Sequence, residues 1–336
     1  MPWEPWPFPG ERRGPTTPKR SLAGGGIPVR NIRWRRGDAA HIDISHGGND
    51  VKKSWLWIKR AAAMAVMLGM AFVPEARGED WTYEAYTRAV QESGRSMDIS
   101  QKTFDKVQGK REKALEAIEK YLTSRFGAAD PEVLRAFREV PREYFHHNYQ
   151  SGRGMASVAY EIPAKPWGIG YGSALSDYLG QAYMTQLAGV KSSDVVLEIG
   201  TGSGFQISLF SRIAREVYSI EIIEPLGEGV GKIFAPLGYA NVHTRVGDGY
   251  FGWPEVEEGF DVIMLTCAAQ YASPELLKQL KPGGKLIIPI GQPFKKGQFL
   301  YVFTKDAEGK VHSKKDMGVY FIPMTGEIQK HKQEKK

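Results

Sequence analysis

Beyond Asp194 the chain alternates short apolar runs with helical patterns, and this alternation leaves few folds open. The runs are VVLEIG, EVYSIE, NVHTRVGD, FDVIMLT and KLIIPI; ISLFSRIAR, a segment at 229–237 and PELLKQL carry helical spacing between them. Strands separated by helix-length segments need crossover connections, which set them parallel in one sheet with helices on both faces. The predicted class is α/β, doubly wound and mostly parallel. A chain of 336 residues with 42% hydrophobic content has room for one large domain or two modest ones, and enough apolar material for a sizeable core. No internal repeat is visible.

Upstream the organisation changes. Residues 1–50 are rich in Pro, Gly and Arg without apolar period, and are expected to be disordered or an untranslated leader. Two Gly codons at Gly47 and Gly48 could spell a ribosome-binding sequence, with Val51 as a GTG start. Residues 51–78 have a basic beginning, an apolar run from Ala61 to Val73 and small residues at Ala76 and Gly78. That is the layout of a secretory signal or membrane-targeting anchor, and the run is short for a span. A helical extension is expected over 79–129, with one helix at 100–126 stopped by Gly127. A further helix starts at Asp130 as N-cap with Pro131 behind it, and opens a domain predicted to run over 130–328. Residues 329–336 form a basic tail. The net charge of +7 is concentrated in the two ends rather than in a basic stripe interleaved with aromatics, so no nucleic-acid partner is expected. Cys267 is the single cysteine, which excludes an intramolecular disulfide and a Cys-based zinc site; no metal is expected.

In VVLEIGTGSGFQ an apolar strand runs into Gly200, Gly202 and Gly204 and then a helix. Glycines there let the backbone turn tightly and approach a ligand, although a plain strand-to-helix turn can look the same. Phe205 occupies the sixth position of what would be a G-x-G-x-x-G fingerprint, which argues against NAD. The G-x-G-x-G form suits a cofactor without pyrophosphate, such as S-adenosyl-L-methionine. About twenty residues on, Glu221 ends the next apolar run, where a carboxylate can take both ribose hydroxyls. Asp248, between two glycines after the following run, is either an acceptor for an adenine amino group or a turn aspartate.

Taken in order, VPREYF (140–145), AYE (159–161), GIGYGSALS (168–176), VLEIGTGSGFQ (196–206), EVYSIE (216–221), GDGYFGW (247–253), LKPGGKLIIPIG (280–291) and FIPMTG (321–326) closely resemble the protein-L-isoaspartate O-methyltransferase family. The resemblance implies a seven-stranded Rossmann-like methyltransferase sheet and S-adenosyl-L-methionine as cofactor, with Glu198, Gly200, Gly202, Gly204, Glu221 and Asp248 around it. It implies that the enzyme methylates the α-carboxyl of L-isoaspartyl residues in damaged proteins, starting their repair through a succinimide. Ser176 falls on the family's catalytic serine, whose hydroxyl would orient the acceptor carboxylate. The family pattern G-Q-T-I-S-Q-P is altered here to Gly172-Ser173-Ala174-Leu175-Ser176-Asp177-Tyr178. The threonine hydroxyl is lost, Ser173 is the candidate to replace it in substrate binding, and Asp177 brings a negative charge towards an anionic acceptor. A methyltransferase for another carboxylate, or a cofactor-fold binding protein without catalysis, are the alternatives. A monomer is the default expectation. The cofactor supply argues for the cytoplasm, and 51–78 for export to the periplasm or a membrane tether.

Overall fold

A computed structural model describes residues 81–292 and 297–330; the leader, the signal-like segment and most of the basic tail lie outside them. Helix Tyr83–Glu92 is capped by Thr82, and helix Gln101–Phe126 by Ser100, whose hydroxyl accepts from the Thr103 amide. Gly127 ends the latter at φ 86°, the left-handed geometry that glycine adopts without steric cost. Helix Pro131–Glu139 follows, with the Asp130 carboxylate accepting from the Glu132 amide at 2.8 Å.

Eleven strands come next in chain order: β1 (His147–Asn148), β2 (Arg153–Gly154), β3 (Trp167–Gly170), β4 (Ser173–Leu175), β5 (Val195–Ile199), β6 (Glu216–Glu221), β7 (Val242–Val246), β8 (Phe260–Leu265), β9 (Leu280–Ile290), β10 (Gln298–Lys305) and β11 (Val311–Val319). The last seven form one sheet in the order β11-β10-β9-β8-β5-β6-β7, while β1 pairs with β2 and β3 with β4 as separate hairpins. The five strands β5 to β9 run parallel, and β10 and β11 are antiparallel. The sheet is therefore the doubly wound, mostly parallel, seven-stranded one that the alternating pattern and the motifs imply. Connections from β5 lead outward to β6 and β7, whereas β8 and β9 lie on its other side. The order thus reverses between β5 and β8, and the crevice beyond their carboxyl ends is where open α/β sheets bind ligands.

Val195, Leu197 and Ile199 of β5 enter one apolar cluster with Leu276 and Leu280, while Val196 enters a larger one on the opposite face. That larger cluster also takes in Tyr86, Phe104, Ile118 and Leu122, so the 79–129 extension shares the core of the sheet. The segment at 229–237, expected as one helix, divides into helix Glu224–Gly231 and a 3-10 turn at Ala235–Leu237. Pro236 explains the break, because its missing N–H cannot continue a helical ladder. Among the described residues no helix is long and apolar enough to cross a membrane, and no cluster of His, Cys, Asp and Glu could hold a metal ion.

Candidate active site

The glycine loop lies at the carboxyl end of β5, at the point where the strand order reverses. The Gly200 amide donates to the Ile220 carbonyl at 2.8 Å, and its own carbonyl accepts from Thr266 Oγ1 at 2.6 Å, which ties the loop to β6 and to the end of β8. Gly200, Gly202 and Gly204 all have positive φ, at 97°, 54° and 82°. A Cβ on Gly200 would lie 2.7 Å from Thr266 Oγ1, and one on Gly204 would meet the Phe234 ring at 2.9 Å. At these positions both the φ angle and the packing demand glycine.

The expected acidic residues surround this loop, in roles more structural than the sequence suggested. Glu221 is 5% exposed; its Oε2 accepts from the Gly202 amide at 2.9 Å and its Oε1 from the Ile223 amide at 3.0 Å. It braces the loop and keeps a lone pair on each oxygen. Burial pushes its pKa up, against the pull of those amides. Glu198, wholly buried, lies beneath the loop: its Oε2 accepts from Ser219 Oγ at 2.7 Å, and Ser219 is 2.7 Å from Thr201 Oγ1. Glu198 Oε1 has no partner, and burial raises its pKa to about 8. Asp248 accepts from the Tyr250 amide at 2.9 Å and from the Glu327 amide at 2.7 Å. Its turn role is the one observed, and through Glu327 it also latches the FIPMTG segment to the end of β7.

On the other side stands the β3–β4 hairpin. Its tip, Tyr171 at φ 53° and Gly172 at 75°, is left-handed throughout, and the Tyr171 amide donates to Gln150 Oε1 at 2.9 Å. A non-glycine residue with this backbone is costly, and its retention here is typical of a constrained functional loop. The hairpin rests on the glycine loop: a Cβ placed on Gly202 would lie 3.8 Å from Ile169 Cδ1 and 3.9 Å from Ser173 Oγ. Ser173 and the glycines of the loop are thereby brought together. Ser176 follows β4 and is half-buried. Among the described residues its hydroxyl has no hydrogen-bond partner, while its carbonyl accepts from Arg142 Nη2 at 2.6 Å.

The altered residues after Ser176 have clear local roles. Asp177 caps helix Tyr178–Ala188, its carboxylate accepting from the Gly180 amide at 2.8 Å. Burial raises its pKa, while the cap and the nearby Arg142 guanidinium pull it down. The charge expected to oppose an anionic acceptor is thus turned into a helix N-terminus beside a cation. Tyr178 donates its hydroxyl to the Glu161 carbonyl at 3.0 Å, tying the loop to the AYE segment.

Some residues at the crevice escaped the motif reading. Ile222, directly after β6, and Phe251, at the end of the turn Gly249–Phe251 that follows β7, are apolar side chains left 38% and 50% exposed. Their position straight after Glu221 and within GDGYF was the only available signal. The VPREYF motif contains Arg142 but gives no sign of its role. Cys267 is buried at the foot of the crevice, and burial drives its thiol pKa far up, as expected of a structural thiol.

Together these residues fit S-adenosyl-L-methionine. The unpartnered Glu198 Oε1 suits an ammonium group, the Glu221 oxygens suit a ribose diol, and the glycines clear a path for the chain between them.

The profile of the family described as protein-L-isoaspartate(D-aspartate) O-methyltransferase matches residues 112–329. Protein-L-isoaspartate O-methyltransferase 1 of Nitrosospira multiformis is 48% identical over 194 residues, covering 58% of this chain and 78% of that protein. Protein-L-isoaspartate O-methyltransferase 2 of Shewanella sediminis is 41% identical over 230 residues, 68% of this chain and 90% of the relative. Among solved structures, a protein-L-isoaspartate O-methyltransferase superposes with a TM-score of 0.55 at 27% identity, over 65% of this chain and 67% of its own. A Plasmodium falciparum structure described as a β-aspartate methyltransferase in complex with S-adenosyl-L-homocysteine shares the fold, with a TM-score of 0.51 at 22% identity over 62% of this chain and 97% of its own. Because the matched region holds the glycine loop, the serine hairpin and the carboxyl-terminal latch, this chain belongs to the protein-L-isoaspartate(D-aspartate) O-methyltransferase family.

Proposed function

We propose that the chain transfers a methyl group to the α-carboxylate of L-isoaspartyl residues in damaged proteins, and that Ser176 and Ser173 bind that carboxylate. The observation that carries this reading is the seating of the serine hairpin on the glycine loop, with Ser173 Oγ 3.9 Å from the Cβ position of Gly202. When bound, S-adenosyl-L-methionine supplies a methyl group activated by its sulfonium. The chain's own task is then modest in chemistry and strict in geometry. An α-carboxylate has a pKa near 3.5, so it is ionised at neutral pH and needs no general base. Ser176, whose hydroxyl is free among the described residues, donates to one carboxylate oxygen and orients the other. Holding the acceptor oxygen in line with that methyl group is then the main task, and the β3–β4 hairpin seated on the glycine loop is the element that does it.

Incubating the protein with labelled S-adenosyl-L-methionine and an isoaspartyl peptide tests this. The peptide is labelled, its L-aspartyl counterpart is not, and Ser176→Ala lowers kcat/KM by about 10- to 100-fold, the worth of one hydrogen bond to a charged group. Cofactor binding without transfer identifies a binding protein instead. Transfer to an unrelated carboxylate in preference identifies a different acceptor.

The supply of S-adenosyl-L-methionine, which is made in the cytoplasm, supports a cytoplasmic location, whereas residues 51–78 support export or a membrane tether. Fractionation with N-terminal sequencing is expected to find the protein with the cytoplasmic fraction; a mature start near Glu79 in an exported fraction overturns this placement.

A further inference from the structure

Arg142 is 1% exposed, and its guanidinium reaches three separate segments. Nε donates to the Ala159 carbonyl at 3.1 Å, Nη1 to Gln181 Oε1 at 2.6 Å and Nη2 to the Ser176 carbonyl at 2.6 Å. Its guanidinium carbon also lies 4.9 Å from the ring of Phe205, the residue after the last glycine of the loop, and 5.8 Å from the ring of Tyr178. One side chain thus touches both the acceptor loop and the start of the cofactor-side helix. Among the described residues no carboxylate is bonded to it; burial lowers its pKa to about 10, against the pull of the nearby Asp177 charge, which leaves it charged at neutral pH. A buried cation is expensive to keep, and here the compensation comes from the nearby Asp177 charge and from three acceptors, one of which is the Ser176 carbonyl.

The backbone beneath Arg142 is itself held. Its amide donates to Tyr160 Oη at 3.0 Å, and that hydroxyl donates to Glu143 Oε2 at 2.6 Å. Glu143 Oε1 accepts from Trp81 Nε1 at 2.8 Å and Gln108 Nε2 at 2.6 Å, both in the extension. A continuous chain of hydrogen bonds therefore runs from the extension through VPREYF to Ser176.

The geometry points to Arg142 as a positioning residue for methyl transfer: by holding the Ser176 carbonyl it sets where that serine meets the acceptor carboxylate. This rests on the acceptor role proposed for Ser176. Lysine keeps the charge but cannot serve three acceptors in a fixed fork. The test measures kcat and KM for an isoaspartyl peptide, and the Kd for S-adenosyl-L-methionine, in Arg142→Lys, Ser176→Ala and the double variant. Arg142→Lys is expected to cost about tenfold or more in kcat/KM while the cofactor Kd changes by less than about twofold. In the Ser176→Ala background the same change is expected to cost less than about twofold, because the two residues act as one unit. A merely structural Arg142 gives a different result: the same loss in both backgrounds, or a cofactor Kd that worsens in step, and either overturns the proposal. A silent Ser176→Ala overturns the acceptor reading and this proposal together, whereas a damaging Ser176→Ala with additive Arg142→Lys overturns this proposal alone. Gln181→Met covers a failure of Arg142→Lys to fold, since it retains Arg142 and removes one acceptor. It is expected to lower kcat/KM about threefold or more at unchanged cofactor Kd, the worth of one buried hydrogen bond, and no change in kcat/KM overturns the proposal.

Discussion

Glu198 shows how much a single residue's role depends on its surroundings. In the motif it is one acid before a glycine loop; in the fold it is wholly buried, with one oxygen satisfied by Ser219 and the other unpartnered. Its pKa of about 8, against an ordinary 4.5, means that the unliganded protein holds a proton there at neutral pH. Since the folded state binds this proton more tightly than the unfolded chain, its contribution to stability is full below pH 4.5 and is lost as pH rises through about 8. A cationic ligand beside Glu198 reverses the balance by favouring the carboxylate. Titration calorimetry at pH 7 in buffers of different ionisation heat is therefore expected to show a proton released on S-adenosyl-L-methionine binding. Glu198→Gln is expected to remove most of that release; equal release in both proteins would place the ammonium elsewhere. The motif identified the acid, but nothing in it showed that the acid lies beneath the loop with an oxygen left over.

At the scale of elements, the glycine loop was the most legible part of the site, because positive φ at a strand-to-helix turn leaves a mark in composition. Gly204 adds a packing demand that composition does not show. A methyl group there meets Phe234 at 2.9 Å, Val230 at 3.0 Å and Ile233 at 3.1 Å, and the backbone stands at φ 82°. Gly204→Ala is expected to destabilise the protein by about 2–4 kcal/mol, combining left-handed strain with overpacking, as measured by denaturant unfolding. The serine hairpin was less legible. Its departures from the family pattern suggested a site hostile to an anion, whereas Asp177 proves to be a helix cap and Tyr178 a tie to the Glu161 carbonyl. A cap and a ligand-facing charge use the same residue types, so only the direction of the side chain separates them.

For the whole molecule, the extension is the main surprise. Its charged, Ala-rich helix carries no sign of what it packs against, yet Tyr86, Val90, Phe104, Val107, Ile118 and Leu122 are buried in the same cluster as Phe205 and Val217. Burial of each such side chain is worth about 1.5–3 kcal/mol, so their sum rivals the 5–15 kcal/mol that holds a typical domain together. A protein beginning at Asp130 is accordingly expected to lose its cooperative thermal transition. It would also leave the buried Glu143 without the Trp81 and Gln108 donors. A sharp melting curve from the shortened protein, with cofactor affinity intact, would show that the extension is dispensable.

By itself the sequence determined the fold class, the glycine turn after β5 and the family. Those rest on local signals: strand and helix periods, glycines where φ must be positive, and motifs contiguous in the chain. Only the tertiary structure decided what the charged residues do. Arg142, Glu143, Asp177 and Asp248 act through partners between 2 and 79 positions away in the chain. A buried charge is stable only where the fold brings it acceptors, donors or a counter-charge, and no period or spacing records which distant segment supplies them.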